Sequence, residues 1–180
     1  AQRLHNLVNS LLMLEKVGDP HNVLEPTGVD LGRVLKEVAE LLAVQAESRG
    51  LTIDLVTQQE PVVAHGDPDE LDQLVSNLAS NAVKYSVDGG RVELGVVARP
   101  ERGTLEVWIT DEGLGISESD QEQLFSEFFR STNPQALAQP GTGLGLTIVA
   151  RIVERHHGRI EVDSELGAGT TFRVTLPLAP

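Results

Sequence analysis

The 180-residue sequence has no cysteine and only 3% aromatic residues: one Trp, one Tyr and four Phe. Without cysteine there is neither a disulfide framework nor a thiolate metal site, and a reducing compartment is permitted. Long hydrophobic runs are missing as well. Nothing approaches the roughly 18 consecutive apolar residues that span a bilayer, and no charged-then-apolar signal segment opens the chain. Positive charge is scarce: 14 Lys and Arg stand against 27 Asp and Glu, a net charge of −13. A nucleic-acid partner is therefore not expected, because its usual footprint is a basic patch. A ligand that is itself an anion would be opposed at long range, and backbone N–H groups, a few placed cations and a bound metal would have to hold it. What is present is 40% hydrophobic, enough for one good core or for one domain with an appendage. The chain starts with Ala rather than Met, which suggests a piece of something longer, although a processed start would look the same.

The stretch Asp67 to Ser86, DPDELDQLVSNLASNAVKYS, reads as one helix with two faces. Leu71, Leu74, Val75, Leu78 and Ala82 recur at the three-four spacing of a buried helical stripe. Asn77, Asn81, Lys84 and Tyr85 share a second face, since each residue advances the helix by about 100°. Asn is a mediocre helix former, so two of them one turn apart need a reason. Solvation is one; a ligand is the other. Asp67 and Pro68 supply an N-cap and a first-position proline.

Residues 1 to 17 place Leu4, Leu7, Leu11 and Leu14 in a heptad-like stripe, widened by Val8, Leu12 and Val17 and ended by Gly18-Asp19-Pro20. Two readings stand: an amphipathic helix lying on its own domain, or the stub of a helical bundle. His21 to Gly28 reads as a linker, so the expected division is 1–20, 21–28 and 29–180. Beyond it, Val29 to Leu31 reads as a short strand, Val34 to Leu42 as part of a helix stopping near Arg49-Gly50, and Leu51 to Val56 and Pro61 to Ala64 as strands. A hairpin is expected from Arg91–Ala98 and Thr104–Thr110, with Asp111 at its end. Gln121 to Arg130 reads as a short apolar helical patch and Ser131 to Pro140 as a mobile loop. A helix opening at Gly141-Thr-Gly-Leu-Gly145 and strands at Arg159–Ser164 and Thr170–Leu176 complete an α+β two-layer arrangement: helices on one face of a mixed, mostly antiparallel sheet, preceded by a helical stub.

Gly141 to Gly145 is not a P-loop, since no Gly-Lys-Ser/Thr follows, and no strand precedes it as a dinucleotide fingerprint requires. It offers a flexible backbone leading into a helix N-terminus, where free N–H groups favour phosphate. Asp111 at a strand end is either a turn former or an acceptor for an exocyclic amine, with Gly113 and Gly115 letting a flat ring approach.

In chain order, NLASNAVKYS is similar to the N box, DEGLG to the first glycine box, FSEFFR to the F box and GTGLGL to the second glycine box of the sensor histidine kinases. Gly167-Ala-Gly-Thr-Thr-Phe172 resembles that family's closing strand. The resemblance covers about residues 29 to 177 as an ATP-binding catalytic domain, and residues 1 to 17 resemble the tail of the second helix of the dimerisation and phosphotransfer bundle. It implies the two-layer α/β sandwich shared with gyrase-type ATPases and heat-shock chaperones, ATP and Mg²⁺ as cofactors, and transfer of the γ-phosphoryl to a bundle histidine and then to a response regulator. It also implies that Asn81 ligates Mg²⁺, that Asn77, Lys84 and Arg130 serve phosphoryl transfer, and that Tyr85 lies on the adenine side. Asp111 would accept from the adenine amine beside Gly113 and Gly115, with Thr171 a polar neighbour; Gly141, Thr142, Gly143, Leu144 and Gly145 would form the lid's hinge and phosphate-facing end. Arg130 would reach the γ-phosphate or only hold the lid.

Two departures stand out. Glu127 replaces the usual proline of the F box, and the phosphoacceptor is absent, because His5 is followed by Asn6-Leu7 rather than by an acidic residue. His5 reads as a surface helix residue, His156 and His157 as solvated caps, and His21 and His65 as loop residues. Alternatives to the kinase are a hydrolysing or serine-phosphorylating relative and a nucleotide-binding module without phosphotransfer. A cytoplasmic domain is expected, with the parent's membrane attachment open, and a homodimer only through residues 1 to 17.

Overall fold

The computed structural model describes residues 2–19, 21–24 and 26–179, without the side chains of Gln2, Arg3 and Asn6. Pro20, part of the expected helix stop, lies outside the described residues.

Five strands form the main sheet in the order β2 (Thr52–Val56), β4 (Arg91–Arg99), β5 (Thr104–Asp111), β7 (Gly169–Pro177), β6 (Arg159–Glu165). β2 runs parallel to β4, and every other pairing is antiparallel. Along β5 burial alternates strictly, with Leu105, Val107, Ile109 and Asp111 inward, as expected of a sheet covered on one face. The cover is three helices: α2 (Leu31–Ser48), α3 (Pro68–Tyr85) and α6 (Gly145–Arg155). α3 sits centrally between the other two and buries Leu71, Leu74, Val75, Leu78 and Ala82, the expected stripe, together with Ala79 and Val83. Fully burying a Leu or Val is worth about 1.5–3 kcal/mol, so this stripe is a principal anchor of the fold. The opposite face of the sheet is open; there the Trp108 ring covers Gly95, and its indole N–H donates to Glu93 at 2.8 Å.

Outside the main sheet, β1 (Thr27–Asp30) pairs with β3 (Val63–Gly66) in a separate antiparallel ribbon. Asp30 is the cap of α2 rather than a mid-strand residue, and Leu31 begins the helix. His65 lies within β3, not in a loop. Asp67 caps α3 by accepting from the Glu70 amide, with Pro68 in the first turn.

Helix α1 (Gln2–Gly18) lies with one side on its own domain. Val17 is buried, and Leu7, Met13 and Leu14 pack on the core through contacts with α6. Leu4, Val8, Leu11 and Leu12 remain exposed on its other side.

Two expectations fail between β5 and α6. The Gln121–Arg130 patch is not a helix: α4 covers only Glu118–Gln121, and turns follow. Phe125 and Phe129 reach the core, while Phe128 takes φ +61° and stays exposed. Left-handed backbone costs an L-residue about 1–2 kcal/mol and ends any helix. Conversely, the expected loop at 131–140 contains a short helix, α5 (Pro134–Ala138), capped by the Asn133 carboxamide on the Gln135 amide. Five residues are too few to carry a periodic signal.

Candidate functional site

The C-terminal half of α3, the end of β5 and the α4–α6 connection enclose a cleft of about 340 Å³. That volume falls within the ~300–1,000 Å³ typical of small-molecule sites. Asn77, Asn81, Lys84 and Tyr85 all line it, because the second face of α3 turns away from the sheet toward α6 and the preceding loop.

Asn77 is held on both sides. Its amide nitrogen donates to the Gly145 carbonyl at 3.1 Å, and its oxygen accepts from Gln73, one turn earlier, at 2.8 Å. Asn81 lines the same wall, and its amide makes no hydrogen bond to another described residue. Lys84 lies over the Tyr85 ring, 4.5 Å from its centroid, and donates to the Pro140 carbonyl at 3.2 Å. The asparagine face therefore grips both ends of the second glycine segment.

Asp111 closes the other end of the cleft. It is 7% exposed, and its Oδ1 is buried without a partner. Burial pushes its carboxyl up to about 7, against the smaller opposing pull of the Thr170 and Gly113 amides. A buried acceptor without a donor costs roughly 1–3 kcal/mol. Oδ1 lies against Gly113, and an exocyclic amine entering the cleft would find the Asp111 carboxyl as an acceptor. Gly115 lines the approach at φ +64°, and a side chain there would strike the Glu165 carbonyl.

Not every expected residue lines the cleft. Gly113 lies behind it, packed on the Tyr85 carbonyl and bridged to Ser86. Leu144 is fully buried in the core. Thr171 is a correction: it faces the open side of the sheet, where its hydroxyl meets Thr110 at 3.0 Å. Thr170, opposite Asp111 in the β5–β7 register, lines the cleft instead. The two-residue alternation from buried Phe172 carried that signal. Ser164 was missed altogether; its Oγ accepts from the Ile116 amide at 2.9 Å and lies 2.9 Å from the Thr170 hydroxyl.

The connection above the cleft is pinned at two points. Asp120 accepts from the Ser131 hydroxyl at 2.6 Å and from the Thr132 amide and hydroxyl. Burial alone would raise its carboxyl, but these donors outweigh burial and hold it below the usual carboxylate range. Arg130 donates to the Leu137 and Gln139 carbonyls at 2.8 and 2.6 Å, tying the chain before this connection's short helix to the helix's C-terminal end. Beyond that connection, α6 begins at Gly145 without a side-chain cap, and Gly145 and Leu146 line the cleft. The amides of a first helical turn without a side-chain cap are the kind of donors that suit an anion.

His156 corrects another expectation. It is 5% exposed rather than solvated; Nδ1 meets the Ile152 carbonyl at 2.7 Å, and Nε2 accepts from the Asp67 amide at 3.1 Å. His157 is exposed at the end of α6. Among the described residues no group of three or more His, Asp or Glu is placed to hold a metal. A lone amide oxygen, as at Asn81, suits a hard cation whose other ligands are water and phosphate.

A family model described as histidine kinase-, DNA gyrase B-, and HSP90-like ATPase matches residues 66–180. The chain belongs to that family. Among curated relatives, the sensor-like histidine kinase SenX3 of Mycobacterium tuberculosis (strain ATCC 25618 / H37Rv) is 34% identical over 178 residues, covering 98% of this chain and 42% of its own. Sensor protein kinase WalK of Staphylococcus aureus is 31% identical over 176 residues, covering 98% of this chain and 42% of its own. This ATPase-family chain thus spans less than half the length of these relatives. Full-length ShkA, solved in complex with AMPPNP, superimposes with a TM-score of 0.84 at 30% identity, over 98% of this chain and 36% of that one. The mycobacterial sensor histidine kinase MprB gives 0.71 at 31% identity, over 88% of this chain and 99% of that one. The ATPase fold and the kinship with sensor histidine kinases follow. Among the described residues no helix is long and apolar enough to cross a membrane.

Proposed function

We propose that this chain is the ATP-binding catalytic part of a sensor histidine kinase, taking Mg·ATP in the cleft between α3 and the α4–α6 connection. The observation that carries the reading is the buried Asp111 carboxyl, whose Oδ1 has no hydrogen-bond partner, at one end of a cleft that also takes in the uncapped start of α6. That spacing of an amine acceptor and an anion site suits adenine at one end and phosphate at the other.

Adenine would lie beside Asp111, Thr170 and Gly115, with Tyr85 on the same wall. Asn81 would ligate Mg²⁺, which when bound neutralises charge on the phosphates. Lys84 exchanges the Pro140 carbonyl for phosphate, and Asn77 keeps the start of α6 beside α3. Phosphoryl transfer breaks the bond between the γ-phosphorus and the β–γ bridging oxygen and forms a P–N bond to an imidazole; ADP leaves, and the imidazole proton goes to solvent. The chain's contribution is positioning and electrostatics. The acceptor histidine belongs to a bundle for which α1 supplies a helix end, with relay to a response regulator and pairing with a second copy through the exposed Leu4, Val8, Leu11 and Leu12 stripe.

Water activation needs a general base. On α3, Glu70 is fully buried against Arg155 and Asp72 is exposed off the Asn face, and the carboxyl that lines the cleft, Asp111, is taken up by the adenine end, which supports transfer to a protein over hydrolysis. The test mixes the chain with Mg·ATP labelled at the γ-phosphate and a separate histidine-containing bundle. Acid-labile label on the bundle is expected; ATP binding without such label rejects the kinase reading.

A further inference from the structure

Arg49 lies just past the end of α2, outside the cleft, and the sequence suggests nothing more for it than a helix stop. Its guanidinium reaches across to the C-terminus of α3. It donates to the carbonyls of Val83, Lys84 (3.1 Å) and Ser86 (2.7 Å), and to the Asp88 carboxylate at 2.8 Å. A helix ends with carbonyls that have no intrahelical donor. Here the Ser86 amide serves Ala82, the Leu114 amide serves Tyr85, and Arg49 takes the others. The side chain is 27% exposed, so its charge-assisted bonds to the three carbonyls are partly sheltered, while its Asp88 partner is exposed. Its backbone carbonyl also accepts from the Gly89 amide, fixing the turn that follows α3.

Two walls of the cleft depend on this end. Lys84 and Tyr85 are the last two residues of α3, and the first glycine segment hangs on it through Leu114 N–H to Tyr85 C=O, Val87 N–H to Glu112 C=O and the Ser86–Gly113 bridge.

We infer that Arg49 is a positioning residue for nucleotide binding, setting Lys84, Tyr85 and the loop after Asp111 without touching the ligand; this rests on the Mg·ATP reading of the cleft. The chain has one Tyr and one Trp, Tyr85 in the cleft and Trp108 on the open face of the sheet. Fluorine-labelled tyrosine and tryptophan therefore give one ¹⁹F line for each place. Arg49→Met is expected to move or broaden the Tyr85 line, leave the Trp108 line in place and weaken Mg·ATP binding by about tenfold, or ~1.4 kcal/mol. Arg49→Lys, with one ammonium in place of a fork, is expected to fall between Met and Arg in both readouts. Unchanged ATP affinity in Arg49→Met overturns the inference. So does displacement of both fluorine lines in both variants, which marks general loosening. Failure of the unsubstituted chain to bind ATP rejects the Mg·ATP reading instead, and a Tyr85 line that stays in place in Arg49→Met then rejects the positioning as well.

Discussion

Asp111 is a buried carboxyl with an oxygen that no donor satisfies. Burial disfavours the charge and pushes its carboxyl up to about 7. A raised folded-state value means that its stabilising contribution is complete below 3.8 and is lost as pH rises through about 7. Asp111→Asn removes that loss, so at pH 8 the variant is expected to melt several degrees higher, ~1 kcal/mol being worth about 2–4 °C at this size. An amine donor, however, needs the ionised acceptor. The same substitution should therefore weaken ATP binding roughly 10–100-fold, as loss of a hydrogen bond to a charged group does. In the unsubstituted chain ATP affinity should fall as pH drops below about 7. Calorimetric melting and ATP titration across pH check the pair; a stable but ATP-competent Asn variant would mean that Asp111 is only a turn residue.

The elements owe their arrangement to buried polar joints as well as to apolar faces. Glu70 in the first turn of α3 is fully buried, 3.2 Å from Arg155 at the end of α6, and Arg155 also donates to the Asn22 carbonyl. One joint thus ties α3, α6 and the segment after α1. Arg155→Met leaves a buried carboxylate uncompensated and should cost about 3–5 kcal/mol in urea unfolding. A cost below ~1 kcal/mol would show the joint to be dispensable. None of this is legible in sequence, where nothing pairs Glu70 with Arg155 and His156 reads as a solvated cap, although it is buried. Periodicity reports which face of α3 is apolar, and capping signals report where it starts. It cannot report which distant side chain meets a polar residue. The asparagine face, Asp111 and the glycine segments were legible because one helix or one strand end carries each of them. Thr170 was misassigned to Thr171 by a single step of the strand alternation. Helix α5 went unread because five residues carry no period.

At the scale of the whole molecule, a net charge of −13 faces an anionic ligand. Screening should raise the association rate for Mg·ATP as ionic strength climbs from about 0.01 M to 0.15 M, where the Debye length shrinks from roughly 30 to 8 Å. Stopped-flow binding with a fluorescent ATP analogue measures it, and a rate that falls with salt would place a dominant local cation field at the mouth of the cleft. The central claim is that the asparagine face of α3 holds a metal-bound nucleotide. Titration calorimetry of ATP with and without Mg²⁺, on the unsubstituted chain and on Asn81→Ala, tests it most directly. The account predicts that Mg²⁺ strengthens ATP binding to the unsubstituted chain by about tenfold or more, and that this enhancement disappears in Asn81→Ala. The same Mg²⁺ enhancement in both proteins would contradict it.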